Sequence, residues 1–346
     1  LLSAYDLSGD QVFLDMSLQL GRRMIAAVGA NGVSPYTFGG GNGGSQCRSL
    51  AESGTCQLEM RHLSRITGDP SFADKVNKFY DTVREKPSID GLWPNCFMNG
   101  KGKITFGADG DSFYEYLLKV WVQGGQQEDQ MWNMFDAAAD GLEKHLLRKG
   151  PDGLSYLGTM NWAGGGQPGA YVEEMEHLTC FVPGWLALGA MSKRGEPKRA
   201  RRMEIADELA NTCWQMYAQQ PTGIGPERVK RMKMDLSATD TREYILRPEA
   251  LEGWFYMREL TGDPKYREYG WQTFHAFETH LRVKHGYASL KDVRNPGKGF
   301  IDKMESFFFA ETLKYLYLLQ SPDHEMKLDK YVFNTEAHPL SIAKPA

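Results

Sequence analysis

Acidic side chains recur in this chain just ahead of apolar, helix-periodic stretches. They are Glu52 in Ala51-Glu52-Ser53-Gly54, Asp111 in Asp109-Gly110-Asp111-Ser112, the Glu176-His177 pair, Glu249 in Arg247-Pro248-Glu249, and Glu305 with Glu311. One Asp or Glu in the first turn of a helix needs no functional explanation, because it complements the helix dipole and caps free N–H groups. A set of them in one phase means more. Carboxylates gathered at one place repel each other, and the charge is costly unless a cation or a polar ligand offsets it. Binding a hard cation and a polyhydroxyl ligand is the chemistry such a set can perform. Aromatic residues close to the same phase (Trp93, Phe113, Trp162, Trp254 and Phe307) either stack on sugar faces or fill a core.

The elements that must position these groups form a repeat. A Gly-Asp/Glu turn, then Phe or Tyr and a helical stretch, recurs at Leu7-Ser8-Gly9-Asp10, Thr67-Gly68-Asp69-Pro70 and Thr261-Gly262-Asp263-Pro264. Weaker copies stand at Gly124-Gly125-Gln126 and Gly195-Glu196-Pro197, and Ser321-Pro322-Asp323 closes the series. An apolar helix precedes each turn, as in 112–121, and an amphipathic helix follows, as in 73–82 and 266–280. Gly ends one helix and Pro is tolerated at the start of the next. Glycine-marked extended pieces follow at Gly91-Leu92-Trp93, Gly153-Leu154-Ser155-Tyr156, Gly223-Ile224-Gly225 and Gly286-Tyr287-Ala288, which predicts small β-hairpins at one end. Such hairpins must stack to bury their apolar faces, as an open solenoid or as a closed toroid. The toroid is favoured because the first helix of each unit is richer in large apolar residues, as a doubly packed inner ring needs.

The composition excludes other classes. Forty basic and 44 acidic residues among 346 leave a net charge of −4 with no basic block, so nothing supports nucleic-acid binding. The longest apolar run, Cys180 to Met191, contains Pro183 and is too short to span a bilayer. The chain opens at Leu1-Leu2-Ser3-Ala4-Tyr5 without an initiator Met or a signal peptide. Glu52 precedes its turn glycine by 16 residues, and Asp111 and Glu249 precede theirs by 13. Applied to Gly9, that phase places an equivalent acid ahead of Leu1, so N-terminal hairpin material is expected to be missing.

Several motifs carry a resemblance. Leu246-Arg247-Pro248-Glu249, 302–308 (Asp-Lys-Met-Glu-Ser-Phe-Phe), 310–315 (Ala-Glu-Thr-Leu-Lys-Tyr) and 333–339 (Phe-Asn-Thr-Glu-Ala-His-Pro) resemble the class I α-1,2-mannosidases, glycoside hydrolase family 47. So do 1–5, 111–119 and Cys180-Phe181-Val182-Pro183-Gly184. The likeness runs from Leu1 to about Ile342 and is nearest the endoplasmic-reticulum and Golgi processing branch. It implies an all-α (α/α)7 toroid, here a single catalytic domain over 1–346 that is truncated at its N-terminus. It also implies calcium-dependent, inverting removal of terminal α-1,2-linked mannose from high-mannose N-glycans on glycoproteins, in the lumen of the secretory pathway. Any membrane attachment would run through an N-terminal anchor outside this chain.

Carried over residue by residue, the resemblance makes Glu249 the general base and Asp111 a catalytic carboxylate to which the acid role is also assigned. Arg247, Glu52, His177, Phe307, Glu311 and Glu336 are substrate-binding. Phe307 lies under the bound mannose, and Thr335 is the direct protein ligand to Ca2+ through its carbonyl and hydroxyl oxygens. Read without the family, Asn334-Thr335-Glu336 is a helix-cap or turn motif, Arg247 with Glu249 a structural ion pair, and His177 a satisfied core residue. Glu176 stands where many relatives have Asp. The family's other proposed acid lies in a Phe-Glu-x-x-Ile-Arg-x-Leu-Gly-Gly segment that would immediately precede Leu1, so the 346 residues alone are expected to be weakly stable and nearly inactive.

Of the five cysteines, Cys180 and Cys213 match the family disulfide, which implies an oxidising compartment; Cys47, Cys56 and Cys96 read as buried thiols. Two other functions compete with hydrolysis. One is a mannose-binding quality-control module without catalysis, favoured by the absent acid. The other is an (α/α)-barrel sugar epimerase or isomerase, which usually needs paired histidines that His177 alone does not supply.

Overall fold

Glycine and aspartate divide the labour at the repeated turns. Gly9, Gly68 and Gly262 each end a helix at positive φ (69°, 73° and 74°) and donate a backbone hydrogen bond to Tyr5, Ser64 and Arg258 respectively. The next residue starts the following helix: Asp10, Asp69 and Asp263 accept from the backbone N–H of Val12, Ser71 and Lys265. One Gly-Asp pair therefore closes one helix and opens another.

The computed structural model describes residues 1–35, 47–230, 241–321 and 323–344. Pro322, part of the last turn copy, lies outside the described residues. The helices are α1 (Leu2–Ser8), α2 (Gln11–Ala27), α3 (Leu50–Gly54), α4 (Gln57–Thr67), α5 (Ser71–Arg84), α6 (Asp111–Gln123) and α7 (Asp129–Gly141). They continue as α8 (Val182–Met191), α9 (Arg199–Ala218), α10 (Glu249–Thr261), α11 (Lys265–His280) and α12 (Lys314–Gln320). The chain forms two compact units, one of Leu1–His145, Met160–Ala170 and Met326–Ala346, the other of Leu146–Thr159 and Tyr171–Glu325.

In the first unit α4 pairs with α5, and α6 with α7. Every residue of α6 from Phe113 to Gln123 is buried. Helix α5 differs: it buries only Phe72, Val76, Phe79, Tyr80 and Val83, the stripe of a helix with one face in water. A two-stranded hairpin, Tyr331–Phe333 with Pro339–Ser341, belongs to this unit, in register Val332 to Leu340. The second unit repeats the pattern. Ala250 through Met257 of α10 are all buried, whereas α11 buries Tyr266, Gly270, Thr273 and Phe277. Its core is aromatic: the Trp254 indole donates to the Ala210 carbonyl at 3.1 Å, and Trp214 stacks on Tyr269 at 4.7 Å.

Short strands appear near the glycine-marked pieces, at Ser155–Leu157 and Gly286–Tyr287. The segment 223–225 is an exception: the strand comes later, at Arg228–Lys230, where it pairs with Glu174–Glu176. The cysteine expectation also needs correction. Cys180, in the turn before α8, pairs with Cys213 in α9, but Cys47 and Cys96 form a second disulfide, and only Cys56 keeps a thiol. The second pair joins segments 49 residues apart, on either side of the α4–α5 hairpin.

Helix α10 packs so closely on the segment around Cys180 that one of its positions has no room for a side chain. A Cβ at Gly253 would run into the carbonyl oxygen of Cys180. Gly253→Ala should therefore destabilise the protein by about 1–3 kcal/mol, as overpacking does. A urea midpoint unchanged from that of the unsubstituted protein would contradict this.

Candidate active site

In the second unit the chain enters α10 through a constrained turn. Leu246 is fully buried at φ 70°, a conformation a leucine holds only when its surroundings fix it. Two bonds do so: Thr312 Oγ1 donates to the Leu246 carbonyl at 2.6 Å, and the Tyr244 hydroxyl to the Arg247 carbonyl at 2.9 Å. Pro248 then caps α10, and Glu249 is its first residue.

Glu249 is held from two sides. Its Oε2 lies 2.9 Å from His177 Nδ1, its Oε1 lies 3.8 Å from Arg247 Nη1, and its side chain is 14% exposed. Burial alone would push this carboxyl up, but the His177 hydrogen bond and the Arg247 charge outweigh burial and leave it below the ordinary value of 4.5. His177 is fully buried, with Nε2 2.7 Å from the Tyr217 hydroxyl. An ionised Glu249 accepts the Nδ1 proton, so Nε2 is the acceptor for Tyr217. Burial pushes the Tyr217 phenol far above its ordinary range, so it stays a donor. Both ring nitrogens of His177 are thus engaged, by Glu249 and by Tyr217, and the residue has no exposed surface.

Sequence reading missed Glu227. Its Oε2 takes the Arg247 Nε hydrogen bond at 2.6 Å, shorter than any Arg247–Glu249 approach, and its backbone carbonyl accepts from His177 N–H at 2.9 Å. Glu227 thus anchors both neighbours of Glu249. The signal available was thin: it follows the 223–225 glycines, without helical phase. Glu311 is buried in a π-helical turn, Phe308–Leu313, which also supplies the Thr312 hydroxyl that holds Leu246, and half-buried Phe307 caps that turn. π-Turns inserted in helices are frequent at functional sites.

The first unit holds the other candidates. Glu52 is exposed in the first turn of α3, where Ser49 Oγ accepts its N–H at 3.1 Å. Partial burial and the nearby Asp109 push its carboxyl up, against the pull of Arg48. Asp111 is the first residue of α6 and accepts the Ser112 N–H at 2.9 Å. The starts of α3 and α6 are tied by Ala51 N–H to the Asp109 carbonyl at 3.0 Å.

Thr335 and exposed Glu336 sit in the loop of the 331–341 hairpin, which confirms a turn rather than a helix cap. Asn334 Oδ1 accepts from the N–H groups of Glu336 and His338, and its Nδ2 donates to Glu59 Oε1 at 2.8 Å. The Tyr116 hydroxyl donates to the same Glu59 oxygen at 3.0 Å and accepts from Thr335 N–H at 3.4 Å. Glu59, also missed by sequence reading, leaves Oε2 buried without a hydrogen-bond partner. Burial raises its pKa despite the Asn334 bond. Glu59 and Thr335 are thus linked through the Tyr116 hydroxyl, and carboxyl, hydroxyl and carbonyl oxygens are hard donors of the kind that suits Ca2+ rather than zinc. Among the described residues no three His, Cys, Asp or Glu side chains stand close enough to hold a metal on their own, so an ion here would need Thr335 and water.

Comparison with known proteins bears on these groups. The sequence profile of glycosyl hydrolase family 47 matches residues 1–342. The human endoplasmic reticulum mannosyl-oligosaccharide 1,2-alpha-mannosidase is 42% identical over 373 residues, an alignment covering 100% of this chain and 52% of that protein. The Arabidopsis thaliana mannosyl-oligosaccharide 1,2-alpha-mannosidase MNS1 is 41% identical, covering 99% of this chain and 62% of that protein. The chain thus spans roughly half the length of these curated relatives. Among solved structures, the alpha-1,2-mannosidase from Trichoderma reesei superposes with a TM-score of 0.87 at 27% identity, over 99% of this chain and 79% of that one. The helical-hairpin fold with small sheets read from the sequence is therefore a known one.

Proposed function

Because this chain belongs to glycosyl hydrolase family 47, we propose that it removes terminal α-1,2-linked mannose from oligomannose N-glycans by inverting hydrolysis, within a single catalytic domain. The observation that carries this is the Glu249 carboxylate, kept ionised by His177 and Arg247 and still reachable by water. Glu249 takes a proton from the water whose oxygen bonds to the anomeric carbon. The glycosidic bond breaks as its oxygen leaves, protonated on the opposite face by an acid in which Asp111 takes part. Glu52, Arg247, Phe307, Glu311 and Glu336 bind the sugar.

Thr335, with Glu59 nearby, would hold Ca2+, which when bound supplies positive charge and coordination for sugar hydroxyls. Two disulfides support an oxidising, secretory-lumen setting. No helix among the described residues is long and apolar enough to cross a membrane.

Digestion of an oligomannose glycan followed at once by proton NMR tests the reading. Release of β-mannose before mutarotation is expected. Initial α-mannose, or glycan binding without release, would overturn it.

A second test uses pH. Because the folded Glu249 pKa is depressed, its contribution to stability is present above the unfolded value and lost as pH falls through the folded one. The same depression sets the acidic limb of kcat/KM below the usual carboxylate range. His177→Gln should move that limb upward and lower kcat/KM by about 10- to 100-fold; an unmoved limb would remove His177 from control of the base.

A further inference from the structure

The second disulfide lies where it can act on the sugar-binding end of the first unit. Cys47 and Cys96 are joined with Cα atoms 4.8 Å apart. Cys47 is followed directly by Arg48, by Ser49, which caps α3, and three residues later by Glu52. On the other side of the bridge stands Asn95, a buried residue whose carbonyl accepts the Leu50 N–H at 2.9 Å. Its side-chain Oδ1 accepts from both Cys96 N–H, at 3.1 Å, and Lys103 N–H, at 3.0 Å. Ala51 N–H continues the seam to the Asp109 carbonyl.

Helix α3 has five residues, too few to hold its own geometry in water. Leu50, Ser53 and Gly54 pack its inner face, and this seam fixes the end that carries Glu52: one covalent bond, two main-chain hydrogen bonds and the Ser49 cap. Glu52 points outward from it, beside Arg48 and Asp109, whose charges act on its carboxyl in opposite directions. Nothing about the fold of α4 or α6 requires the bridge, since both are anchored by their own buried faces.

We propose that the Cys47–Cys96 disulfide, with Asn95, is a positioning clasp that holds Arg48 and Glu52 in place to engage the hydroxyls of the bound glycan. The proposal rests on the hydrolase reading for the identity of the ligand. Cys56 does not compete for the bridge: burial pushes its thiol up to about 11, and it contacts Ser34 Oγ at 3.2 Å.

The test is the Cys47→Ala/Cys96→Ala protein. KM for oligomannose should rise about tenfold, the loss expected when a charged hydrogen-bonding group is misplaced, while kcat stays within about twofold. Amide exchange at Ala51 and Glu52 should accelerate. In combination with Glu52→Gln the effects should fall short of additive, because both act through one carboxylate. Asn95→Ala, which leaves the disulfide intact, should reproduce the KM rise, and Asn95→Asp, which keeps the acceptor oxygen, should not.

An unchanged KM overturns the clasp. So does a loss shared equally by kcat and KM along with melting temperature, or full additivity with Glu52→Gln. If the unsubstituted protein releases no mannose, the hydrolase reading fails by itself. The exchange comparison then decides the clasp, which unchanged protection at Ala51 would refute.

Discussion

Glu249→Gln is expected to lower kcat for mannose release by about 10³- to 10⁴-fold, the upper range for loss of a positioned general base, with KM moved by no more than a few-fold. The amide fits the same space, and its carbonyl oxygen can still accept the His177 Nδ1 proton, so the Glu249–His177–Tyr217 chain need not collapse. What disappears is the ability to take a proton from water. A rate within tenfold of the unsubstituted protein would assign the base elsewhere. A fall in melting temperature as large as that of Gly253→Ala would show the substitution to be structural instead.

The second large effect comes from metal removal. Excess EGTA is expected to stop mannose release and to lower the unfolding temperature, since a ligand that binds only the folded state stabilises it by mass action. Added Ca2+ should restore both. Mg2+ should not, because it demands tighter octahedral geometry and gives up its waters reluctantly. Thr335→Val removes the hydroxyl while keeping the branched shape, and should raise the calcium needed for half-activity by more than about tenfold. Full activity in EGTA, or a Thr335→Val protein with unaltered calcium demand, would end the case for the ion at this hairpin loop.

Much of this organisation could be read from the sequence because it is local. The Gly-Asp turns close and open helices through bonds spanning a few residues, so Thr67-Gly68-Asp69-Pro70 announces α4 and α5 without further knowledge. The contrast between α6, buried throughout, and striped α5 was likewise present in the apolar pattern. Glu249, Asp111 and Glu52 could be picked out because each opens or nearly opens a helix. Residues whose role depends on distant partners were hidden. Glu59 stands third in α4, as Glu52 does in α3, but its role depends on Asn334, 275 positions away, which reaches it. Glu227 is unremarkable in sequence until Arg247 turns toward it. Cys47 and Cys96 looked like isolated thiols for the same reason: both lie outside the helices of the intervening hairpin, so the helical pattern does not bring them together.

Asn334 carries an unusual share of its loop. Its one amide accepts from two backbone groups through the oxygen and grips Glu59 through the nitrogen. Hydrolytic loss of ammonia from that side chain, a common chemical wound of ageing proteins, would change its mass by only about one dalton. It would also swap the only donor of the amide for an anionic oxygen facing Glu59. Two carboxyl groups would then confront each other, and the hairpin loop would lose its hold on Glu59 while the helices kept their buried faces.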